Sequence, residues 1–149
     1  MKYAPVLNAR AIETLIPHGG AMSLLDAVTF WDALNLYARA SSHRDLNHPL
    51  RRHNRLSAIH LVEYAAQAMA VHGGLVARAN QQCAKPGLLA DVRDVRLLVE
   101  RIDDITSDLE IRVTRLVAAA SGWIYSFEVS ANRRTLATGR VTIMMAASP

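Results

Sequence analysis

The stretch Val62-Glu63-Tyr64-Ala65-Ala66-Gln67-Ala68-Met69-Ala70-Val71 decides the fold. It is rich in alanine and lacks proline and glycine, so it favours a helix. Apolar side chains fall on nearly every face of that helix, and Glu63 is its only carboxylate. A helix apolar all round has to be enclosed by other structure, because a surface helix needs a polar side. The helical pattern runs over residues 56 to about 79, with Asn54 or Ser57 as the N-cap, and Lys85-Pro86-Gly87 breaks it.

Outward from the helix the signals change period. Residues 11–16 read as a short helical turn stopped by Pro17 and Gly19-Gly20. Residues 22–31 and 35–42 read as two strands meeting at Asp32-Ala33, and residues 43–55 form a polar, basic loop. Beyond the helix, residues 88–102, 109–119, 123–130 and 135–145 read as four strands. Turn signals at Asp103-Asp104, Ser107-Asp108, Ser121-Gly122 and Asn132-Arg133 separate them. Short connections between consecutive strands predict an antiparallel meander. The expected fold is α+β: an antiparallel sheet of about six strands curled around one long central helix, in a single domain over residues 1–149.

Composition narrows the function classes. Hydrophobic residues make up 51% and charged residues 20%, which excludes the disordered class. The single cysteine, Cys83, excludes a disulfide framework and argues against a cysteine-based zinc cage. The most apolar run, residues 61–77, is interrupted by Glu63, Gln67 and His72, so no membrane span is expected. Met1-Lys2-Tyr3-Ala4-Pro5 has no apolar signal core behind it, and the expectation is a soluble, cytoplasmic protein. Seventeen Lys and Arg against thirteen Asp and Glu give a net charge of +4, and only Lys2 and Lys85 are lysines. Arginine meets carboxylates and phosphates with two parallel hydrogen bonds, so this surface suits an acidic partner. With 5% aromatics and no long basic run, that partner is not expected to be a nucleic acid.

Three motifs follow one another along the chain. They are Ile16-Pro17-His18-Gly19-Gly20-Ala21-Met22, then Glu63-Tyr64-Ala65-Ala66-Gln67-Ala68-Met69-Ala70, then Gly87-Leu88-Leu89-Ala90-Asp91-Val92-Arg93-Asp94-Val95-Arg96. Their order and spacing resemble the small hotdog-fold 3-hydroxyacyl-acyl carrier protein dehydratases of fatty acid synthesis. Ser42-His43-Arg44, His48-Pro49-Leu50-Arg51 and residues 63–73 are more similar still to the ApeP-like dehydratases of aryl-polyene and related polyketide clusters. One departure stands out. The dehydratase loop His-Phe-Pro-Gly-x-Pro is represented here by His48-Pro49-Leu50-Arg51-Arg52, with Leu56-Ser57-Ala58 where the Pro-Gly pair would be.

The resemblance implies subunits that dimerise edge to edge through the strand after the helix. It also implies sites at the dimer interface, with a histidine from one subunit and a glutamate from the other, reached by the carrier's phosphopantetheine arm. No cofactor is implied.

Dehydration of a 3-hydroxyacyl thioester removes a proton from C2 and expels hydroxide from C3. Imidazole suits the first step, and a carboxyl group kept protonated by apolar surroundings suits the second. Glu63 is the candidate acid; its alternative role is a helix-edge glutamate bonded to Gln67 or His60. His48, 15 residues earlier in the loop, is the first candidate base and His43 the second. His60 is read as satisfying a buried neighbour and His18 as orienting a loop, while His53 and His72 carry no reading. The histidine spacing does not suit a metal site. Arg51, Arg52 and Arg55 flank the expected site and are the candidate docking residues for an acidic acyl carrier protein.

The expected activity is therefore that of a 3-hydroxyacyl-[acyl carrier protein] dehydratase, as a homodimer or a heterodimer with another hotdog subunit. The altered loop keeps open a non-catalytic partner subunit that stabilises an active dehydratase. A hotdog acyl thioesterase is the third reading.

Overall fold

The computed structural model describes residues 6–16, 20–83 and 87–145. The long helix is present as α2, Leu61–Ala79. It begins five residues later than its pattern suggests because the preceding backbone is engaged elsewhere. Leu56 N–H donates to Asp103 Oδ1 (2.9 Å), Ala58 N–H donates to the Glu100 carbonyl (3.0 Å), and Ile102 N–H donates to the Leu56 carbonyl (2.9 Å). Ser57 caps the short 3-10 turn Ala58–His60 instead, accepting from Ile59 N–H.

The strands are β1 (Leu7–Asn8), β2 (Ala27–Trp31), β3 (Asn35–Ala40), β4 (Gly87–Leu97), β5 (Leu109–Ala119), β6 (Gly122–Ala131) and β7 (Arg134–Met145). A five-residue helix α1, Ala9–Glu13, follows β1 and is capped by Asn8 Oδ1, which accepts from Ala11 N–H at 2.9 Å. One seven-stranded sheet results, in the order β1-β2-β3-β5-β6-β7-β4, with antiparallel neighbours throughout. The seventh strand is the two-residue β1, too short to leave a period in the sequence. This is the hotdog arrangement of a curled sheet around a central helix. Leu36, Ala38 and Ala40 of β3 and Leu109, Ile111 and Val113 of β5 alternate onto the buried face. They meet Leu61, Tyr64, Ala65, Ala68 and Met69 of α2 in one core.

The expected four-strand meander is corrected in one respect. β5, β6 and β7 follow it, and β6 and β7 are joined at Asn132-Arg133 by a turn whose two central residues are both left-handed, as a type I′ turn requires. β4 does not pair with β5; it pairs with β7 at the far edge. The cause lies in residues 98–108, which cross beneath the start of α2 instead of turning back. Ile102 is fully buried there, and Arg101 pairs with Asp103 where the latter caps Leu56 N–H. That crossing delivers β5 to the side of β3, with Leu36 opposite Val113.

β4 is consequently an edge strand. Leu88 (69% exposed), Leu89 and Leu98 lie open on or beside it. The register shifts twice along it, between Leu89 and Asp91 and between Arg93 and Arg96, and Asp94 is left-handed at φ 53°.

The crossing segment makes a measurable claim. Ile102→Ala removes a fully buried side chain from the junction of three segments and is expected to cost about 2–5 kcal/mol in chemical denaturation. A loss below about 1 kcal/mol would mean that the crossing does not hold β5 in place.

Candidate active site

Glu63 sits in the first turn of α2, half-buried, and accepts a hydrogen bond from Gln67 Nε2 at 3.1 Å. This is the i, i+4 contact expected from the sequence. The Gln67 amide, 1% exposed, does more than that. Its oxygen accepts from Leu24 N–H (2.9 Å) and its nitrogen donates to the Met22 carbonyl (2.7 Å), tying the approach to β2 onto the helix. Glu63 stands at one end of a cavity of about 680 Å3 that runs along the Ala66, Ala70, Gly73, Gly74 and Ala77 face of α2. Leu89, Val141 and Ile143 of the β4–β7 pair and Trp123 of β6 form the opposite wall. The cavity exists because α2 packs against β3, β5 and β6, while β7 and β4 curl past it.

No described histidine lines this cavity. His48 is buried on another side of the helix, where it meets Tyr64. Tyr64 is the next residue after Glu63, about 100° round the helix axis. Leu50 N–H donates to His48 Nδ1 (3.1 Å), so the neutral ring carries its proton on Nε2. Nε2–H then donates to Tyr64 Oη (3.2 Å), Tyr64 O–H to Ser42 Oγ (2.7 Å), and Ser42 O–H to the Leu24 carbonyl (2.8 Å). Every polar atom of that chain is used, and neither His48 nitrogen presents a lone pair to a ligand. Burial depresses the His48 pKa and pushes the Tyr64 hydroxyl up to about 12, so both are neutral near pH 7.

His43 is fully buried. Its Nε2–H donates to the Ile105 carbonyl (3.0 Å), while Nδ1 is buried without a hydrogen-bond partner. Burial lowers its pKa, and the same holds for His60 at the start of α2. His43 and His48 are thus both buried side chains of the basic loop, and neither lines the cavity that Glu63 lines. His18 lies outside the described residues. Among the described residues, no three His, Cys, Asp or Glu side chains gather as a metal ion would need.

The three arginines differ in role. Arg51 commits its guanidinium to the backbone carbonyls of Asp45 (2.8 Å), Asn54 (3.3 Å) and His43 (3.3 Å), stapling the loop. Arg52 and Arg55 are exposed, at the two ends of a tight turn through the left-handed His53 and Asn54, with Arg52 Nη1 donating to the Pro49 (3.2 Å) and Arg51 (2.7 Å) carbonyls.

Sequence reasoning gave no role to His72 or Trp123. His72 is fully buried in mid-helix, accepting from Tyr125 O–H at Nδ1 (2.8 Å) and donating from Nε2 to the Asp32 carbonyl (2.9 Å). The one signal for it was a histidine in an otherwise apolar stretch.

A sheet of this order wound about one helix defines a hotdog-fold protein. The model of the ApeP-like family, described as ApeP dehydratase, matches residues 10–149, and the chain belongs to that family. Dehydration is a lyase-type activity. Among solved structures, the dehydratase heterocomplex ApeI:P from Xenorhabdus doucetiae has a similar chain. It is 23% identical with a TM-score of 0.82, over 98% of this chain and 93% of that one. A thioesterase from Haemophilus influenzae superposes at a TM-score of 0.65 with 11% identity, over 98% and 95% of the two chains. A hypothetical thioesterase with coenzyme A from Streptococcus pneumoniae does so at 0.59 with 9% identity, over 81% and 85%. At these identities the structures share the fold. No curated protein matches the chain.

The buried histidines set a pH dependence. Burial holds His43, His48 and His72 below their ordinary value of 6.5, so the unfolded chain binds more protons than the folded one as pH drops. Stability is present above pH 6.5 and is lost as pH falls from there through the depressed folded values. Melting followed by circular dichroism is expected to show a lower Tm at pH 5 than at pH 7, and a smaller drop in a His43→Gln, His72→Gln double variant. An equal Tm at the two pH values would contradict this.

Proposed function

We propose that this chain is one half of a 3-hydroxyacyl thioester dehydratase whose substrate arrives on the phosphopantetheine arm of an acyl carrier protein. Glu63 protonates the departing C3 hydroxyl, which leaves as water while the C2–C3 double bond forms. The observation that carries this reading is a carboxylate at the end of a long apolar cavity, oriented by Gln67. The cavity fits an acyl chain, and the family supplies the reaction type. The base that takes the C2 proton comes from a second hotdog subunit packed on the β4 edge. Support for that comes from the cavity's lining, which includes no described histidine, and from the open apolar residues of β4.

Two assemblies fit. In a homodimer, His48 of the other copy would have to leave its bond to Tyr64 and free a lone pair. In a heterodimer the partner supplies the base, and His48 keeps its place as a brace. The occupied nitrogens of His48 favour the heterodimer, as does the likeness to a heterocomplex. In that assembly the chain either contributes Glu63 or contributes structure alone.

The test compares the purified chain with its mixture with a hotdog partner, measuring hydration of an enoyl-pantetheine thioester. Glu63→Gln keeps shape and hydrogen bonding but cannot deliver a proton, so the active preparation is expected to lose about 10²-fold or more in kcat. Unchanged turnover would leave this chain a scaffold. Activity of the chain alone that dies with His48→Ala and survives His43→Ala would assign the base to His48 across a homodimer. Release of free thiol without hydration would replace the dehydratase with a thioesterase.

Carrier docking is assigned to the exposed Arg52 and Arg55, since Arg51 is half-buried with all three guanidinium nitrogens on loop carbonyls, whereas Arg52 commits Nη1 alone. Arg52→Glu with Arg55→Glu is expected to weaken carrier binding while sparing small pantetheine thioesters. Salt should mimic the loss, because the screening length falls from about 10 Å at 0.1 M to about 3 Å at 1 M. Affinity indifferent to both changes would put docking elsewhere.

A further inference from the structure

Trp123 occupies an unusual place. It stands at the start of β6 and lines the cavity on the sheet side. Its ring reaches across to α2 and narrows the cavity there, whose lining continues to Ala77, Gln82 and Cys83: a Cβ built on Gly73 would lie 2.4 Å from Trp123 Cζ3. The absence of a side chain at position 73 therefore makes room for the indole. The ring is also held from behind. The Arg115 guanidinium carbon lies 5.3 Å from its centroid, and Tyr125 meets it edge-on at 6.3 Å. Tyr125 is itself fixed by His72 at 2.8 Å. A large aromatic side chain braced on two sides is a wall rather than a loose filler.

Its distance from the chemistry follows from helix geometry. Ten residues separate Glu63 from Gly73, which at 1.5 Å per residue is about 15 Å along the axis. An extended hydrocarbon advances about 1.2 Å per bond, so a chain whose C3 sits at Glu63 reaches Trp123 about twelve bonds further on, at about carbon fifteen. Shorter chains stop before the indole.

We propose that Trp123, seated against Gly73, selects the acyl group by length, admitting chains of up to about fifteen carbons and impeding longer ones where the indole narrows the cavity. The inference rests on the dehydratase reading for its substrate class. Removing the indole widens the cavity at that level, whereas a methyl group at position 73 drives the ring into it, so the two substitutions act in opposite directions. Arg115 is the positioning residue of this wall.

The experiment uses enoyl-pantetheine thioesters of four to sixteen carbons, with the chain alone and in its mixed complex. Trp123→Ala is expected to raise the kcat/KM ratio of sixteen over eight carbons by about tenfold or more, and Gly73→Ala to lower it by a similar factor. Trp123→Phe, a smaller change with less risk to the fold, should move the ratio part of the way. Binding is read separately, since the chain has two tryptophans, Trp31 and Trp123. In Trp31→Phe protein, emission from Trp123 should respond to a sixteen-carbon thioester and not to a four-carbon one. The difference in emission between wild type and Trp123→Phe gives the same readout if Trp31→Phe does not fold. Turnover with an unchanged length profile in all three variants, or an equal response to four and sixteen carbons, overturns the inference and leaves the dehydratase reading standing. A length-dependent response without turnover in any preparation does the reverse. Neither turnover nor response overturns both.

Discussion

A helix of 19 residues that is apolar on nearly every face must be covered all round, and one curled sheet covers it only in part. The sheet closes on α2 through β3, β5 and β6, then swings wide at β7 and β4. The uncovered sector becomes the cavity below Glu63 and leaves the apolar side chains of β4 open. The cavity and the open strand edge thus share one origin. Anything that completes the cover of the helix also completes the walls of the site.

Polar groups then decide what the cover may look like. Gln67 and Tyr64 are both buried in the helix, and an unmet hydrogen bond there would cost about 1–3 kcal/mol. Gln67 finds its partners in Met22 and Leu24, Tyr64 in Ser42 and His48. These contacts bring the approach to β2 and the basic loop to fixed places around the first turn of α2. The demand for satisfied hydrogen bonds therefore positions Glu63 indirectly, by holding its neighbours.

Much of this was legible in the residues. Alanine content and all-round apolarity announced α2, and two-residue alternation announced β3, β5 and β6. The path of residues 98–108 was not legible. Turn signals at Asp103-Asp104 and Ser107-Asp108 fit a hairpin as well as a crossing, and only the burial of Ile102 beneath α2 separates them. At the site, Glu63 stood out because a lone carboxylate in an apolar helix is conspicuous. The standing of His48 could not be read, because it depends on a lone pair taken by the Leu50 amide two residues away. Arg51 likewise looks like surface charge in a sequence, and its three carbonyl partners appear only once the loop is closed.

The broken register of β4 has a consequence for fidelity. A straight, bare strand accepts any other strand and can propagate into a fibre. Here two shifts in pairing and the left-handed Asp94, flanked by Arg93 and Arg96, divide the edge into short pieces with their own twist. A newcomer must carry a matching pattern of offsets to bond along its length. Discrimination between kin and stranger is then written into the backbone of the edge, ahead of any side-chain contact, and uncontrolled polymerisation is curbed by the same irregularity.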